Sequence, residues 1–350
     1  MSPTNYNEAY LITEKEYRRM FEPLYKKFFI PRVLIQFPVI LPFHIPIPNT
    51  SGLSVQVDDH AVCTYLFLIL SITEQTTLGN LAGKFVPVET RKSCVEMTYV
   101  TDEELEWGNI DLSKYFDILV EKLNLLISSY LITMKDIDAY RVSREMFQMA
   151  SLCRFIRVDD WRGQEVAIFR LHTDVPYERP MLTEVQLDDI SQFAHVLQNN
   201  LNPFVLSEEI MTSARRHFKE GFYREAIIYA QTSVEAFLST LYISILQQEG
   251  KTLAEAEALR ENTSFMSMVK KEFHPRIGGA WKVEDKRTKV GQWYDDTYTL
   301  RNKIAHSGYM PSFEETQTAL GPAMGLRSYI LSLVKSKKKK YPALQPYFFS

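Results

Sequence analysis

Three side chains that could act together in catalysis lie within six residues of one another. Arg301, Asn302 and His306 occur in the stretch YTLRNKIAHSGY, where the pattern predicts a helix over residues 293–306. Histidine titrates near neutral pH and can therefore accept or deliver a proton. A guanidinium offers two parallel donors to a phosphate and stabilises the charge that develops on it. These side chains suit the cleavage of RNA by its own 2′-hydroxyl without a metal ion.

A helical wheel predicts a polar stripe on this helix. With about 100° per residue, Asn302 lies about 100° and His306 about 140° from Arg301. Asp295 and Tyr298 fall on the same arc, at about 120° and about 60°. The apolar positions, predicted to face the core, lie on the other side: Trp293, Leu300 and Ile304. A stripe with so many functional residue types exceeds what a solvated face requires.

The same residues also have a structural interpretation. A histidine close to a helix end often caps it, and an arginine and an aspartate on one face often form a surface ion pair. Ser307 and Gly308 are expected to end this helix, so the helix dipole favours a protonated His306. The charge of Arg301 opposes protonation, and the sequence does not decide between the two effects.

Composition limits what the whole chain can be. Its 350 residues suffice for two domains, and 45% hydrophobic and 24% charged residues are typical of a soluble globular protein. A formal net charge of −3 requires any RNA contact to come from a local basic patch. Three scattered cysteines argue against a disulfide framework or a zinc site. No cofactor is expected.

The chain shows no targeting or membrane-spanning signal. Its N-terminal residues are polar and lack the order of a signal peptide. The longest apolar run, residues 61–72, is too short to cross a bilayer as a helix. We therefore expect a cytoplasmic protein without a membrane partner.

Residues 1–178 are predicted to form a mixed α+β domain. Helices are predicted over 13–28 and 112–134, and strands over 53–57, 62–72, 94–100 and 165–171, with a helix as the alternative for 62–72. Because proline lacks a ladder donor, the proline-rich stretch 32–48 is predicted to be an edge strand or an extended arm. The triplet Asp58-Asp59-His60 either ligates a metal or forms a surface turn, and the alternation of strand side chains favours the turn.

Residues 179–334 are predicted to form an all-α bundle. Helices are expected over 183–199, 207–220, 223–249, 253–273, 293–306 and 313–334. A glycine- and lysine-rich loop, residues 277–292, leads into the helix that carries Arg301. Residues 335–350 are predicted to be a separate basic and then apolar tail, which is either disordered or packed on this chain or on a partner.

The region from about residue 204 to residue 334, a little over a third of the chain, resembles a HEPN domain. Its R-N-x-x-x-H sequence matches the signature of that family, in the penultimate predicted helix. Upstream, residues 214–218, 221–226 and 235–238 resemble the helix, the short turn, the Y-x-x-A-type helix and the E-x-x-L segment with which such domains begin. The most similar HEPN domains stand at the C-termini of prokaryotic and phage-defence proteins.

This resemblance implies an activity and an assembly. Arg301 and His306 would be the catalytic pair and Asn302 their polar companion, in a metal-independent reaction. Two copies would meet through their motif helices and form one composite site. A family subgroup carries a tyrosine two residues after the histidine as a target of inhibitory nucleotidylation. Here that position is Gly308, and Tyr309 follows it, so the resemblance does not extend to this regulation.

Supporting residues are predicted less directly. Asp295 and Tyr298 share the arc of the motif, and Glu235 is either a buried hydrogen-bonding partner of the motif or a core or ion-pair residue. Basic clusters could bind phosphates without base specificity or could be solvated surface. The candidates for RNA contact are Lys282, Lys286, Arg287 and Lys289 in the loop and Arg215 and Arg216 in the second helix, near Lys219 and Arg224.

Together these observations predict an α+β N-terminal domain that binds a trigger or a protein partner, followed by an all-α HEPN-like bundle that cleaves RNA. The expected reaction is transesterification by the 2′-hydroxyl. The resemblance to HEPN domains implies a toxin or abortive-infection effector of antiviral defence as its setting. Two alternatives remain. The HEPN-like domain could be a non-catalytic dimerisation and binding module, or the chain could be an adaptor subunit of a defence complex that docks through its tail.

Overall fold

The computed structural model describes residues 13–76, 86–173, 181–199 and 202–347. The chain divides into two compact units, residues 1–177 and residues 178–350. The first unit contains an antiparallel sheet with helices, and the second is helical. Most of the boundary predicted at residues 173–180 lies outside the described residues.

The first unit is built on a six-stranded antiparallel sheet with the order β2-β3-β4-β1-β5-β6. The strands are β1 (Val33–Ile40), β2 (Ser51–Gln56), β3 (Ala61–Thr76), β4 (Val86–Thr101), β5 (Ala150–Arg157) and β6 (Asp160–Arg170). Helices α1 (Glu14–Tyr25) and α2 (Leu112–Met134) bury aromatic and aliphatic side chains in two separate clusters of this unit. Residues 62–72 are therefore strand, and α2 has the predicted bounds.

Strand β1 is central, which contradicts its prediction as an edge strand or arm. It pairs with β4 along its whole length, and with β5 only from Val33 to Gln36. Pro38 lies beyond the end of the β5 ladder, where its carbonyl accepts hydrogen bonds from Gln148 Nε2 (2.9 Å) and Ser151 Oγ (2.7 Å). A proline is tolerated there because no ladder donor is needed at that position.

The triplet Asp58-Asp59-His60 forms an exposed bend between β2 and β3. Asp58 Oδ1 accepts from the backbone N–H of His60 at 2.8 Å, and the His60 imidazole lies 3.2 Å from Asp102 Oδ2. The hydrogen bond with Asp102 raises the pKa of His60. The triplet is a surface turn, and no group of His, Cys, Asp or Glu side chains suited to a metal ion occurs in the described ranges. All three cysteines are buried and unpaired, and burial raises the pKa of each thiol to about 12.

The second unit is helical, and its longest helix spans residues 223–248. Its helices are α3 (Glu184–Gln198), α4 (Val205–Lys219), α5 (Tyr223–Gln248), α6 (Leu253–Glu261), α7 (Phe265–Lys271), α8 (His274–Ile277), α9 (Lys289–Trp293), α10 (Thr299–Ser307) and α11 (Phe313–Ser336). One apolar face of α5, including Ile227, Val234 and Leu241, is buried.

The helix predicted over residues 253–273 is broken. Ser264 caps α7 by accepting from the backbone N–H of Ser267, which ends the continuity with α6. Asn262, Thr263 and Ser264 can each compete for backbone groups, and the predicted pattern missed this interruption. Pro275 then lies in the first turn of the short helix α8.

The predicted tail belongs to the helical unit. Helix α11 runs on to Ser336, and Tyr341 and Leu344 are fully buried in the core of this unit. Tyr341 donates to Glu249 Oε1 at 2.9 Å, and burial together with this bond raises the pKa of the phenol. Of the alternatives for the tail, packing on its own chain is the one observed for residues 341–347.

We expect Tyr341→Phe to lower the free energy of unfolding of the helical unit by about 1 kcal/mol, the usual net value of one hydrogen bond. Urea unfolding of the full chain, followed by helical circular dichroism, would measure the change. Tyr229→Phe is the matched control, because the Tyr229 ring is 40% exposed on α5. Equal effects of the two substitutions would contradict the tail contact.

Candidate functional site

The motif lies on one continuous helical rod made of three parts. Helix α9 begins after Thr288, whose hydroxyl accepts from the backbone N–H of Gly291 at 3.0 Å. A π-turn, Tyr294–Tyr298, follows, and α10 completes the rod. Gly308 ends it with φ of 64°, a left-handed conformation that glycine adopts without strain. We call this rod, residues 289–307, the motif helix.

The π-turn changes the phase of the motif helix. Thr299 donates its backbone N–H to Tyr294 O, five residues back. The turn therefore contains one residue more than a turn of regular α-helix. The eight steps from Trp293 to Arg301 then rotate the helix by about as much as seven steps, about 700°, or about 20° short of two full turns. Without the π-turn the two side chains would lie about 80° apart. With it, both face α5.

The π-turn displaces the N-terminal part of the predicted stripe. Asp295 shifts by about 100° on the wheel, away from the arc that carries Asn302 and His306, and its carboxylate pairs with Lys286 Nζ at 2.6 Å. Tyr298 is partly buried and packs on the core, where it stacks on Tyr294 with ring centroids 5.3 Å apart and on Phe265 at 6.3 Å. Neither side chain forms a hydrogen bond or an ion pair with the motif in the described structure.

A chain of hydrogen bonds links the core to the motif arginine. The buried indole of Trp293 donates to Gln231 Oε1 at 2.9 Å, and Gln231 Nε2 donates to Glu235 Oε1 at 3.0 Å. The same oxygen of Glu235 accepts from Arg301 Nη2 at 2.9 Å, and Arg301 Nη1 donates to Asn302 Oδ1 at 3.1 Å. Gln231 and Trp293 are both fully buried. Glu235 thus meets the motif as a partly buried ion-pair partner of Arg301, which combines features of both alternatives for this residue.

Arg301 is fixed by hydrogen bonds, but some of its N–H donors have no partner in the described structure. The side chains of Arg301 and Glu235 are 27% and 29% exposed, so the ion pair lies at the edge of the core. A guanidinium has five N–H donors, and the bonds to Glu235 and Asn302 engage two of them. The remaining donors suit a phosphate oxygen.

His306 is exposed in the last turn of α10. In the part of the chain that the structure describes, its imidazole forms no hydrogen bond or ion pair. Asn302, which the spacing predicts to lie beside the imidazole, directs its side-chain oxygen towards Arg301 instead. The imidazole is therefore free to meet a ligand from solvent.

The loop after His306 is fixed by Tyr309. Lys303 Nζ lies 3.2 Å from the centre of the Tyr309 ring, and the Tyr309 hydroxyl donates to Glu315 Oε1 at 2.7 Å. This hydrogen bond raises the pKa of the Tyr309 phenol. Glu315 also accepts from the backbone N–H of Ser312 at 2.9 Å in the capping box of α11. Tyr309 therefore has a structural role in holding this loop.

Half of the basic loop candidates are paired with carboxylates. Lys286 pairs with Asp295, and Arg287 Nε lies 2.8 Å from Asp285 Oδ1. Lys289 Nζ donates to Gln292 Oε1 at 3.3 Å, whereas Lys282 is exposed. The loop is also pinned to the core, because Trp281 and Val283 are buried. Two of the four predicted cations thus already have carboxylate partners.

The candidates on α4 are less engaged. Arg215 and Arg216 are both exposed near the C-terminal end of α4. Arg216 Nη2 donates to Ser213 Oγ at 3.4 Å, and in the described structure Arg215 has no carboxylate partner. Unpaired cations bind phosphates with less loss of existing contacts, so α4 is the more available of the two basic clusters.

The sequence did not reveal Gln231 and Trp293 as parts of the site. Gln231 precedes Glu235 by four residues, which is the spacing of neighbours on one helix face. This spacing is the sequence signal that could have identified Gln231 as a neighbour of Glu235. Trp293 was assigned to the core, which is correct, but its link to Arg301 depends on the π-turn.

No protein-family model, no curated protein and no solved structure matches this chain. Among the helices described here, none is both long and apolar enough to cross a membrane. The arrangement itself contains a fixed cation, an accessible imidazole and an amide on one helical rod. Such a set can bind a phosphodiester and move protons at its oxygens.

Proposed function

We propose that the helical unit is a metal-independent endoribonuclease of HEPN type. The observation that carries the proposal is the pairing of Arg301 with Glu235 at 2.9 Å, which fixes the guanidinium on the same helix as the exposed His306. A surface ion pair alone would not require an arginine anchored through buried groups. The residue types and their order also match the R-N-x-x-x-H motif.

The proposed reaction is an internal transesterification. The 2′-oxygen of a ribose forms a bond to the adjacent phosphorus while its proton passes to a base, and the bond from phosphorus to the 5′-oxygen breaks as that oxygen gains a proton. The products carry a 2′,3′-cyclic phosphate and a 5′-hydroxyl. His306 is the acid or the base, Arg301 stabilises the phosphate oxygens, and Asn302 keeps the guanidinium directed.

One chain offers a single motif histidine, whereas the reaction needs both a proton acceptor and a proton donor. Two copies that meet through their motif helices would supply both, as the resemblance to HEPN domains implies. The first unit then has the role of binding a protein partner or trigger, in a toxin or abortive-infection effector. In the adaptor alternative, the chain docks on a partner through its tail. Truncation at Lys335 is a poor test of this, because it would also remove core residues such as Tyr341.

The direct test is cleavage by the purified protein in EDTA. Mixed single-stranded and structured RNAs would be incubated with the full chain, and the product ends would be identified by mass spectrometry. Cyclic-phosphate ends that depend on the protein would support the proposal. Binding without cleavage, both alone and after addition of an extract from infected cells as the source of a trigger, would favour the non-catalytic binding module.

We expect Arg215→Ala with Arg216→Ala to weaken RNA binding more than Lys286→Ala with Arg287→Ala. The loop pair is already neutralised by Asp295 and Asp285, whereas the α4 pair is not. Anisotropy of a labelled RNA, measured against a cleavage-deficient His306→Ala background at several salt concentrations, would show the difference. The salt slope should fall by about 1 to 2 for the α4 variant. A larger loss for the loop variant would reverse the assignment.

A further inference from the structure

Gln231 has an unusual position for a glutamine. It lies in the first half of α5 and is fully buried. Both its side-chain oxygen and its side-chain nitrogen form hydrogen bonds. Buried amides are costly unless every polar atom has a partner. An apolar residue would fill the same place in a helical core at less cost, so the amide indicates a requirement beyond packing.

The orientation of this amide is determined by its neighbours. An indole N–H can only donate, so the oxygen of the amide must face Trp293. The amide nitrogen must then face Glu235, and it donates to the same carboxylate oxygen that receives Arg301 Nη2. The carboxylate is thereby held from the core side at the position where it meets the guanidinium.

The π-turn makes this linkage possible. Gln231 and Glu235 lie one turn apart on α5, and their partners Trp293 and Arg301 lie eight residues apart on the motif helix. Eight residues of regular α-helix would turn Arg301 about 80° away from the face that carries Trp293. The π-turn removes most of that difference, so one helix face supplies both partners. π-Turns are rare and occur frequently at functional sites.

We propose that Gln231 is a positioning residue for Arg301, and that Trp293 and the π-turn serve as its anchor. Gln231 touches no substrate. It fixes the Glu235 carboxylate, which fixes the guanidinium. The catalytic consequence rests on the proposed ribonuclease function, but the effect on the mobility of Arg301 does not.

The first test measures the Arg301 side chain directly. The full chain would be prepared with ¹⁵N-labelled arginine, and the Arg301 guanidinium signals assigned by loss in Arg301→Lys. In the wild type we expect slow rotation and protected N–H protons. In Gln231→Met and in Trp293→Phe these signals should average and exchange with water faster, by about tenfold, as expected when a hydrogen-bonded anchor is lost.

Arg276 is an internal control in the same spectra, because it pairs with Glu249 and Glu272 at 3.0 Å and 2.6 Å, away from Gln231. Its signals should not change. Should Gln231→Met not fold, Trp293→Phe alone carries the same test, since it removes the indole N–H that fixes the Gln231 amide. Unchanged Arg301 signals in folded variants would overturn the proposal.

The second test uses cleavage. Gln231→Met should lower kcat about ten- to hundredfold with a small change in KM, because a misplaced clamp binds RNA but stabilises the transition state poorly. Trp293→Phe combined with Gln231→Met should lose little more than the single variant. If the wild type cleaves, Arg301→Ala does not, and Gln231→Met retains full kcat, the positioning role is wrong and the ribonuclease function stands. If the wild type does not cleave, the guanidinium spectra still decide the positioning role.

Discussion

Replacement of His306 or Arg301 by alanine should remove almost all cleavage while leaving the fold intact. Loss of a general acid or base lowers the rate about 10²- to 10⁴-fold, and loss of a group that stabilises the developing charge costs about 10²- to 10³-fold. His306 is exposed and has no hydrogen-bond or ion-pair partner in the described structure, so His306→Ala removes neither kind of interaction. Initial rates of cleavage of one labelled RNA would give both values.

Matched controls for these two variants occur in the same unit. His195 is also exposed in the last turn of a helix, and Arg276 also pairs with a carboxylate at the end of α5, at 3.0 Å from Glu249 Oε2. His195→Ala and Arg276→Ala should cleave at rates close to the wild type. An equal loss in the controls would show that the effect is structural, and full activity of His306→Ala would place the chemistry elsewhere.

Gly291→Ala should be strongly destabilising. A Cβ at this position would lie 2.0 Å from the Asp285 carbonyl oxygen and 2.5 Å from its carbon, which are backbone atoms of the pinned loop. The loop would have to move away from the start of the motif helix. We expect a loss of about 3 kcal/mol in the free energy of unfolding, the upper part of the range for overpacked sites. The thermal midpoint of the helical unit should fall by roughly 6–12 °C.

Gly325→Ala is the control for this substitution. Gly325 lies within α11, and its nearest neighbour, Lys289 Cδ, would be 3.9 Å from the new Cβ. Replacement of a helical glycine without a clash should stabilise the unit by about 0.5–1 kcal/mol. A midpoint for Gly291→Ala that equals that of the wild type would contradict the close approach of the loop to the motif helix.

Local patterns predicted those parts of the fold that depend on local preferences. The period of apolar residues predicted both ends of α2, and Gly221 and Gly250, which adopt positive φ angles, follow α4 and α5. The prolines of β1 predicted an edge strand or an extended arm, but strand order depends on long-range pairing, and β1 lies in the centre of the sheet. Strand β5 was missed because its short sequence, ASLCRFIR, has no bounding turn signal on its N-terminal side.

The sequence predicted the residue types of the candidate site, but not the angular positions of all its side chains around the motif helix. Arg301, Asn302 and His306 follow from a short motif, whereas their orientation depends on one extra residue in the π-turn. Nothing in the sequence YDDTY distinguishes a π-turn from α-helix, because the turn is stabilised by tertiary contacts such as the bond from Thr297 Oγ1 to Ala319 O at 2.6 Å. The wheel therefore assigned Asp295 to the site and did not connect Trp293 with Arg301.

The central claim is that RNA is cut by its own 2′-hydroxyl at the site formed by Arg301 and His306. The most direct measurement uses an RNA whose cleavage position has been mapped and which carries a single 2′-deoxynucleotide 5′ to that bond. In EDTA, the wild-type protein should cut the all-ribose RNA and leave the bond after the deoxynucleotide intact. Cleavage of that bond at the same rate would contradict the account, because an external nucleophile would then carry out the reaction.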